Sequence, residues 1–408
     1  MKKALKLCSI PLKLVIKDKN KLMNFPVIKR LVFRIKYKEM TRKYIPYELG
    51  IESFFKELKR RNVEYVILRW FEKLPEWPKN EDIDMLIKDE DLKKILDLFN
   101  DKPIGIPCDT YAVYGSKGSN FGKGPYYPSY LAKKILSKRV LKDNTYYIPN
   151  KECHFFSLVY HVVYHKGEKA GLPIDNKSSK IYDKPEHDYS KIISSMANEL
   201  QLPIKTDLYS LHNYLKKTGW SPNIDTLRKL VQKNNSTFVN NLIPTSKESG
   251  NVKGDLIVFI LREWVLDNKK KDEIIEFLKS SNINILEVKE LNRKEQKKAC
   301  KSIRGGNWDK GPYPISGGLP SIIVIAYDTN PSLVPDKKKG SHPYVVNGNV
   351  FVKNEIRNQI NKSLLRNKRT NCIHSSDDEL EAWEYIYTTC PELIEPIKKR
   401  IRELEGMH

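Results

Sequence analysis

Two carboxylates one residue apart, Asp82 and Asp84, head the apolar run Glu81-Asp82-Ile83-Asp84-Met85-Leu86-Ile87. Side chains of a strand alternate between faces, so this spacing puts both carboxylates on one face and Ile83 and Met85 on the other. Such a pair can hold a hard cation such as Mg2+, which bridges carboxylate and phosphate oxygens and neutralises the charge that develops during in-line displacement. Further on, Gly115-Ser116-Lys117-Gly118-Ser119-Asn120-Phe121-Gly122-Lys123-Gly124 gathers four glycines with Lys117 and Lys123 in one loop. Glycines let backbone amides approach phosphate, although this spacing matches neither the P-loop nor the dinucleotide fingerprint. A helix-like stretch from Lys151 to Lys166 carries His154, His161 and His165, whose steps of seven and four put them on one broad face. No glutamate stands between His161 and His165 in the H-E-x-x-H manner, so the pair is a candidate for phosphate or the acceptor pocket before metal. Arg304-Gly305-Gly306-Asn307-Trp308 presents Arg304, Asn307 and an aromatic ring on a flexible loop, which suits stacking on a base and gripping phosphate.

The paired aspartates need elements to carry them. Upstream lies an amphipathic segment, Glu52 to Arg61, then an apolar strand candidate, Tyr65-Val66-Ile67-Leu68, then a polar loop rich in Pro and Trp up to Asn80. Helix, strand, loop and strand with paired Asp is the order in which the nucleotidyltransferase superfold presents its metal ligands, and residues 44–150 resemble that superfold. The resemblance implies Asp82 and Asp84 as Mg2+ ligands. It also implies a third carboxylate from a neighbouring strand, for which Asp109, opening Asp109-Thr110-Tyr111-Ala112-Val113-Tyr114, is the candidate as ligand or base. Where the superfold has a Gly-Ser or Gly-Gly pair after its first strand, this chain has Arg69-Trp70. The planar fork of Arg69 can bind phosphate in its place. Residues 151–243 show apolar spacing of three and four over Ser190 to Leu200, Asp207 to Lys217 and Ile224 to Lys233, which predicts a small helical bundle; the resemblance to the superfold implies that such a bundle shapes the second-substrate site. The turn-rich run Pro244 to Gly250 is the predicted boundary.

Residues 254–408 alternate strand and helix patterns: Leu256 to Leu261, Asp272 to Ser280, Ile285 to Leu291, Lys294 to Ser302, and Ser321 to Tyr327. Near the end stands Asn371-Cys372-Ile373-His374-Ser375-Ser376-Asp377. This part is similar to nucleoside diphosphate kinase, whose N-x-x-H-G-S-D motif carries a phosphoryl-accepting histidine. The likeness points to His374 as catalytic, to Asn371 as its neighbour on the nucleotide, and to Arg262 where the family keeps a phosphate-binding lysine. The family's histidine-orienting glutamate aligns with Tyr385, beside Glu384. Its arginine ahead of the motif aligns with Asn361, leaving Arg357, Arg366 and Arg369 as displaced candidates. The fold class expected for the whole is α+β: a nucleotidyltransferase-like mixed sheet with a helical bundle, then a ferredoxin-like kinase-like domain.

Across 408 residues the formal net charge is +23, which implies an acidic partner. Residues 1–43 hold fourteen Lys or Arg against Asp18 and Glu39, interleaved with aliphatic clusters. That pattern suits a segment lying on an anionic bilayer. No run approaches the length of a membrane span and no secretory signal pattern appears, so the expected location is the cytoplasm, peripheral on the inner face of the membrane. Six cysteines without C-x-x-C spacing point to reduced thiols and away from structural zinc. No RNA- or DNA-binding motif stands out, so nucleic acid is not the expected partner.

The leading expectation is therefore a Mg2+-dependent nucleotidyl- or phospho-group transferase. It takes a nucleotide or nucleotide-activated donor and serves a glycan or lipid-linked sugar acceptor at the membrane surface. The acceptor follows from relatives of the first domain that modify surface glycans. Phosphohistidine transfer through His374 is the alternative, and a non-catalytic nucleotide- or nucleic-acid-binding protein the third reading. Kinases of the resembled family assemble into oligomers, so the resemblance leaves an oligomer open, and the sequence itself does not set the oligomeric state.

Overall fold

The computed structural model describes residues 41–78, 81–100, 102–116, 118–119, 121, 124–177, 184–243, 254–308 and 313–406. All but the last three residues of the basic amino-terminal segment lie outside them, as do Lys117, Lys123 and the expected boundary at 244–250. The protein is mixed α+β and divides into two compact units, one holding residues 41–126 and 135–154, the other residues 127–134 and 155–406. None of the described helices is long and apolar enough to cross a membrane.

The first unit opens with β1 (Arg42–Ile45) and α1 (Gly50–Arg60), followed by β2 (Tyr65–Ile67), β3 (Ile83–Ile87) and β4 (Ile106–Ala112). In α1, Ile51, Phe54, Phe55 and Leu58 recur at helical spacing and are all buried, with Glu52 in the first turn and Lys59 and Arg60 in the last. That places an apolar stripe on the core and complements the helix dipole at both ends. The sheet runs β1-β4-β3-β2, with β3 and β4 parallel and the outer pairs antiparallel. One face packs on α1 through Ile45, Tyr65, Ile67, Ile83, Met85, Ile87, Cys108 and Ala112. Strand alternation therefore turns Asp84 and Asp109 to the other face. A hairpin of β5 (Arg139–Lys142) and β6 (Tyr146–Pro149) turns through Asp143, Asn144 and Thr145, with Asp143 and Asn144 both in the left-handed region.

The second unit contains the helices α2 (Tyr189–Glu199), α3 (Leu208–Lys217) and α4 (Ile224–Asn234), with Asp188 and Asp207 capping the first two. Then follow β7 (Asp255–Arg262), α5 (Lys271–Ser280), β8 (Asn284–Glu290), α6 (Arg293–Ser302), β9 (Pro320–Asp328), α7 (Val352–Lys362), β10 (Ile373–Ser375), α8 (Glu379–Thr389) and α9 (Ile394–Leu404). Four strands pair antiparallel in the order β10-β7-β9-β8. Alternation along β7 and β9 explains why both strands read as unbroken apolar runs. Ile257, Phe259, Ile322 and Val324 face one core with residues of α5 and α7, while Val258, Ile260, Ile323 and Ile325 face a second with residues of α6, α8 and α9. A sheet covered on both faces has no solvent side to alternate with.

Helix α6 is weakly apolar and relies on its start. The side chain of Asn292 accepts from the backbone of Lys294 and Glu295, and the Glu295 side chain returns to the Asn292 backbone, closing a capping box. Asn292→Ala is expected to cost about 1 kcal/mol, read as a lower urea midpoint for the whole chain.

Candidate functional site

In the first unit, strand register assembles the acidic centre. Asp84 on β3 lies directly opposite Asp109 on the parallel strand β4, and Arg42 on β1 lies opposite Asp109 from the other side. Asp82 precedes β3 by one residue and joins the same face. The Arg42 guanidinium bridges two of the carboxylates. Its Nε lies 3.1 Å from Asp109 Oδ1 and its Nη2 3.3 Å from Asp109 Oδ2, while Nη2 also donates to Asp82. Asp84 and Arg69, 4% and 5% exposed, form a buried pair, Nη2 to Oδ2 2.8 Å. Arg69 reaches the Tyr126 hydroxyl at 3.3 Å as well.

Three carboxylates facing two guanidinium groups leave this face short of positive charge. Burial pushes the Asp84 carboxyl up to about 6 despite Arg69, with Asp82 and Asp109 adding repulsion. Burial likewise raises Asp109 against the pull of Arg42. Among the described residues no three His, Cys, Asp or Glu groups already form a metal cage. The donor set nevertheless has the chemistry of a Mg2+ site: hard carboxylate oxygens, mutually repelling, of which the part-exposed Asp82 and Asp109 share one solvent-accessible guanidinium.

Around this centre, Trp70 takes φ 59°, in the left-handed region that a bulky residue enters only at a cost. The start of the glycine-rich loop is held by Asp89, which accepts from the Tyr114 backbone at 3.0 Å and the Ser116 hydroxyl at 2.6 Å. Lys43 donates to Gly118 O at 2.8 Å. Lys117 and Lys123 lie outside the described residues.

The expected single helix of 151–166, most of which falls in the second unit, changes character. An α-helix spans Lys151–Tyr160 and a π-helical segment His161–Lys166, so the wider turn alters the face expected from 3.6-residue spacing. His161 and His165 are buried with ring centroids 6.0 Å apart, packed against Tyr189 and Tyr160.

His374 on β10 is the better-furnished histidine of that unit, and it is partly exposed. Its Nε2 lies 3.2 Å from the Tyr385 hydroxyl, and that hydroxyl lies 2.7 Å from Glu381 Oε1. The other oxygen of Glu381 accepts the Asp377 amide at 2.5 Å. Desolvation holds His374 well below the ordinary histidine value, and Arg304, Lys353, Arg357 and Arg262 lower it further. Four cations thus surround a neutral imidazole.

Each of those cations is placed differently. Lys353, buried on α7, donates to Ser375 Oγ at 2.7 Å, and burial pushes its ammonium down to about 8. Arg357 Nε donates to Ile373 O at 3.0 Å. Arg262, fully buried, donates to the carbonyls of Trp308, at 2.7 Å, and Ser316, and stacks on the Trp308 ring. Its Nη1 therefore ties the carbonyls of Trp308 and Ser316 to one point, as a buried guanidinium N–H needs acceptors. Arg304 sits at φ 54° over the Trp308 ring, and its buried Nη1 has no hydrogen-bond partner among the described residues. Asn307 Oδ1, Trp308 Nε1 and Asn371 Oδ1 share that condition.

Sequence reading proposed Glu384 as the carboxylate beside Tyr385, but Glu384 accepts from the Ile224 amide at 3.1 Å, at the start of α4. Glu381, one turn earlier and reaching His374 through Tyr385, was missed, as were Arg42 and Lys353. A signal existed for Lys353, which occupies the same helical stripe as buried Ile356 and Ile360. A lysine in an apolar stripe marks a desolvated charge. No protein-family model matches this chain, and neither does any curated protein sequence.

Proposed function

We propose that the chain is a Mg2+-dependent nucleotidyl- or phospho-group transferase acting at the acidic centre of the first unit, with a nucleotide or nucleotide-activated donor. The observation that carries this reading is the register of β3 and β4, which sets Asp84 against Asp109 with Asp82 alongside. Asp82, Asp84 and Asp109 would hold the cation, which supplies charge neutralisation for the donor's phosphates and orients them. The chain's own groups do the rest. Arg69 anchors Asp84 so that its carboxylate cannot swing away. Arg42, half exposed, is free to turn from carboxylate to phosphate, and its planar fork suits either. The antiparallel β2–β3 pair beside a parallel third strand supports the likeness to the nucleotidyltransferase superfold. A glycan or lipid-linked sugar acceptor rests on that likeness and on the basic residues 1–43, as does attachment to the inner membrane face.

Incubating the protein with nucleoside triphosphates and CDP-linked donors, with and without Mg2+, tests the reading. Donor turnover that requires Mg2+ and disappears in Asp82→Ala with Asp84→Ala supports it. Turnover equal in wild type and variant removes it.

One specific observation favours a second reading for the other unit. Four cations around His374, with an unpartnered Arg304 nitrogen among them, suit a phosphate-type anion. The antiparallel strand order β10-β7-β9-β8 supports the ferredoxin-like, nucleoside diphosphate kinase-like comparison. Under this reading His374 accepts a phosphoryl group.

A further inference from the structure

We propose that Glu381, Tyr385 and His374 form a reversible proton chain, in which the ionisation of Glu381 decides which imidazole nitrogen of His374 carries the hydrogen. The inference rests on the second reading above, and names Glu381 and Tyr385 as positioning residues for it. Its geometry is one line of contacts: His374 Nε2 to the Tyr385 hydroxyl, 3.2 Å, and that hydroxyl to Glu381 Oε1, 2.7 Å. Glu381 Oε2 is committed to the Asp377 amide, so any proton on the carboxyl sits on Oε1, facing Tyr385. A phenol has one hydrogen to give and can give it in only one direction.

Two polarities follow. With Glu381 ionised, Tyr385 donates to the carboxylate and its oxygen accepts from His374 Nε2–H, leaving the Nδ1 lone pair free for an electrophile. With Glu381 protonated, Oε1–H donates to Tyr385, Tyr385 donates to Nε2, and the ring hydrogen sits on Nδ1. Passing from the second state to the first moves the Glu381 proton to the Tyr385 oxygen and the Tyr385 proton to Nε2, while the Nδ1 proton leaves to solvent. One proton is released, and the negative charge it leaves behind rests on the Glu381 carboxylate.

Both states lie within reach of neutral solution. Burial, reinforced by Asp377 and Asp225, pushes the Glu381 carboxyl up to about 8. The groups that face it from neighbouring elements are Asp225, Arg228 and Lys229 on α4, Arg304 on its loop, Lys353 on α7, and Asp377 at the start of α8. His374 stays neutral throughout, because burial and the four cations oppose an imidazolium. The switch therefore exchanges tautomers at constant ring charge. An anion settling among the same cations would offset part of their pull on the Glu381 carboxylate and shift the balance toward the protonated form.

Long-range 1H–15N correlation spectra of full-length protein labelled at histidine, taken from pH 6 to 10, read the tautomer directly, with His374→Gln assigning the signal. The result expected is an Nδ1–H ring at the low end, an Nε2–H ring at the high end, and a single-proton transition between them. Glu381→Gln should hold the Nδ1–H form across the range, since its carboxamide oxygen can accept from Asp377 and its NH2 can only donate to Tyr385. Tyr385→Phe should uncouple the tautomer from that transition. A His374 tautomer that is constant in wild type overturns the proposal, as does switching that persists in Glu381→Gln. Titration of wild type with inorganic pyrophosphate is the separate check on the second reading. Its failure removes the anion from that site, while the tautomer series still decides the chain.

Discussion

Asp82→Asn is expected to lower transfer by roughly 100-fold or more, the scale of losing one preorganised charge contact at a phosphate-transfer centre, while leaving the unfolding midpoint almost unchanged. Asp82 is part-exposed and pairs with an arginine whose side chain is 46% exposed, and such surface pairs contribute about 0–1 kcal/mol. Asp84→Ala should behave oppositely in stability. Its partner Arg69 is 5% exposed, so removing the carboxylate takes the counter-charge of a buried ion pair away from a desolvated guanidinium and costs about 3–5 kcal/mol. Urea unfolding of the two variants, beside a Mg2+-dependent turnover assay, separates these effects. If Asp82→Asn retains full turnover, Asp82 is no ligand and the acidic centre is an ion-pair lattice.

The second large effect is expected at the cation group around His374. Arg304→Ala removes a buried donor that has no partner among the described residues. One charge-assisted hydrogen bond contributes about 1.5–3 kcal/mol, so pyrophosphate affinity should fall by roughly 10- to 100-fold. Lys353→Met should weaken binding similarly but leave stability unchanged or slightly higher, because the lysine is buried deeply enough for its ammonium to be pushed down to about 8. Replacing a desolvated charge by an apolar chain of similar length is often neutral or stabilising. Calorimetric titration with pyrophosphate and urea unfolding of each variant test the pair. Equal pyrophosphate affinity in wild type and both variants would show that the cations serve packing alone.

What the sequence made legible follows from how local each signal is. The stripe Ile51, Phe54, Phe55 and Leu58 announces α1, and the apolar runs of β7 and β9 announce strands. Alternation alone put Asp82 and Asp84 on one face. The partners of those aspartates were not legible, because Arg42 reaches Asp109 only through the β1–β4 register across 67 positions of sequence. Register between distant strands leaves no local trace. His374 was visible through its motif-like surroundings, yet the carboxylate that governs it was sought next to Tyr385 in sequence. On a helix the neighbour of Tyr385 is Glu381, four residues earlier. The π-helical segment at His161–Lys166 was hidden for a similar reason, since a change of helical pitch alters no residue type.

Nothing tests the account more directly than Mn2+ titration of wild type, Asp82→Asn and Asp109→Asn, followed by the paramagnetic relaxation of water protons. The account predicts one divalent-ion site in wild type, weakened at least about tenfold in each variant, as expected when one of three anionic ligands is lost. Equal Mn2+ binding by all three proteins, or none by wild type, would contradict it.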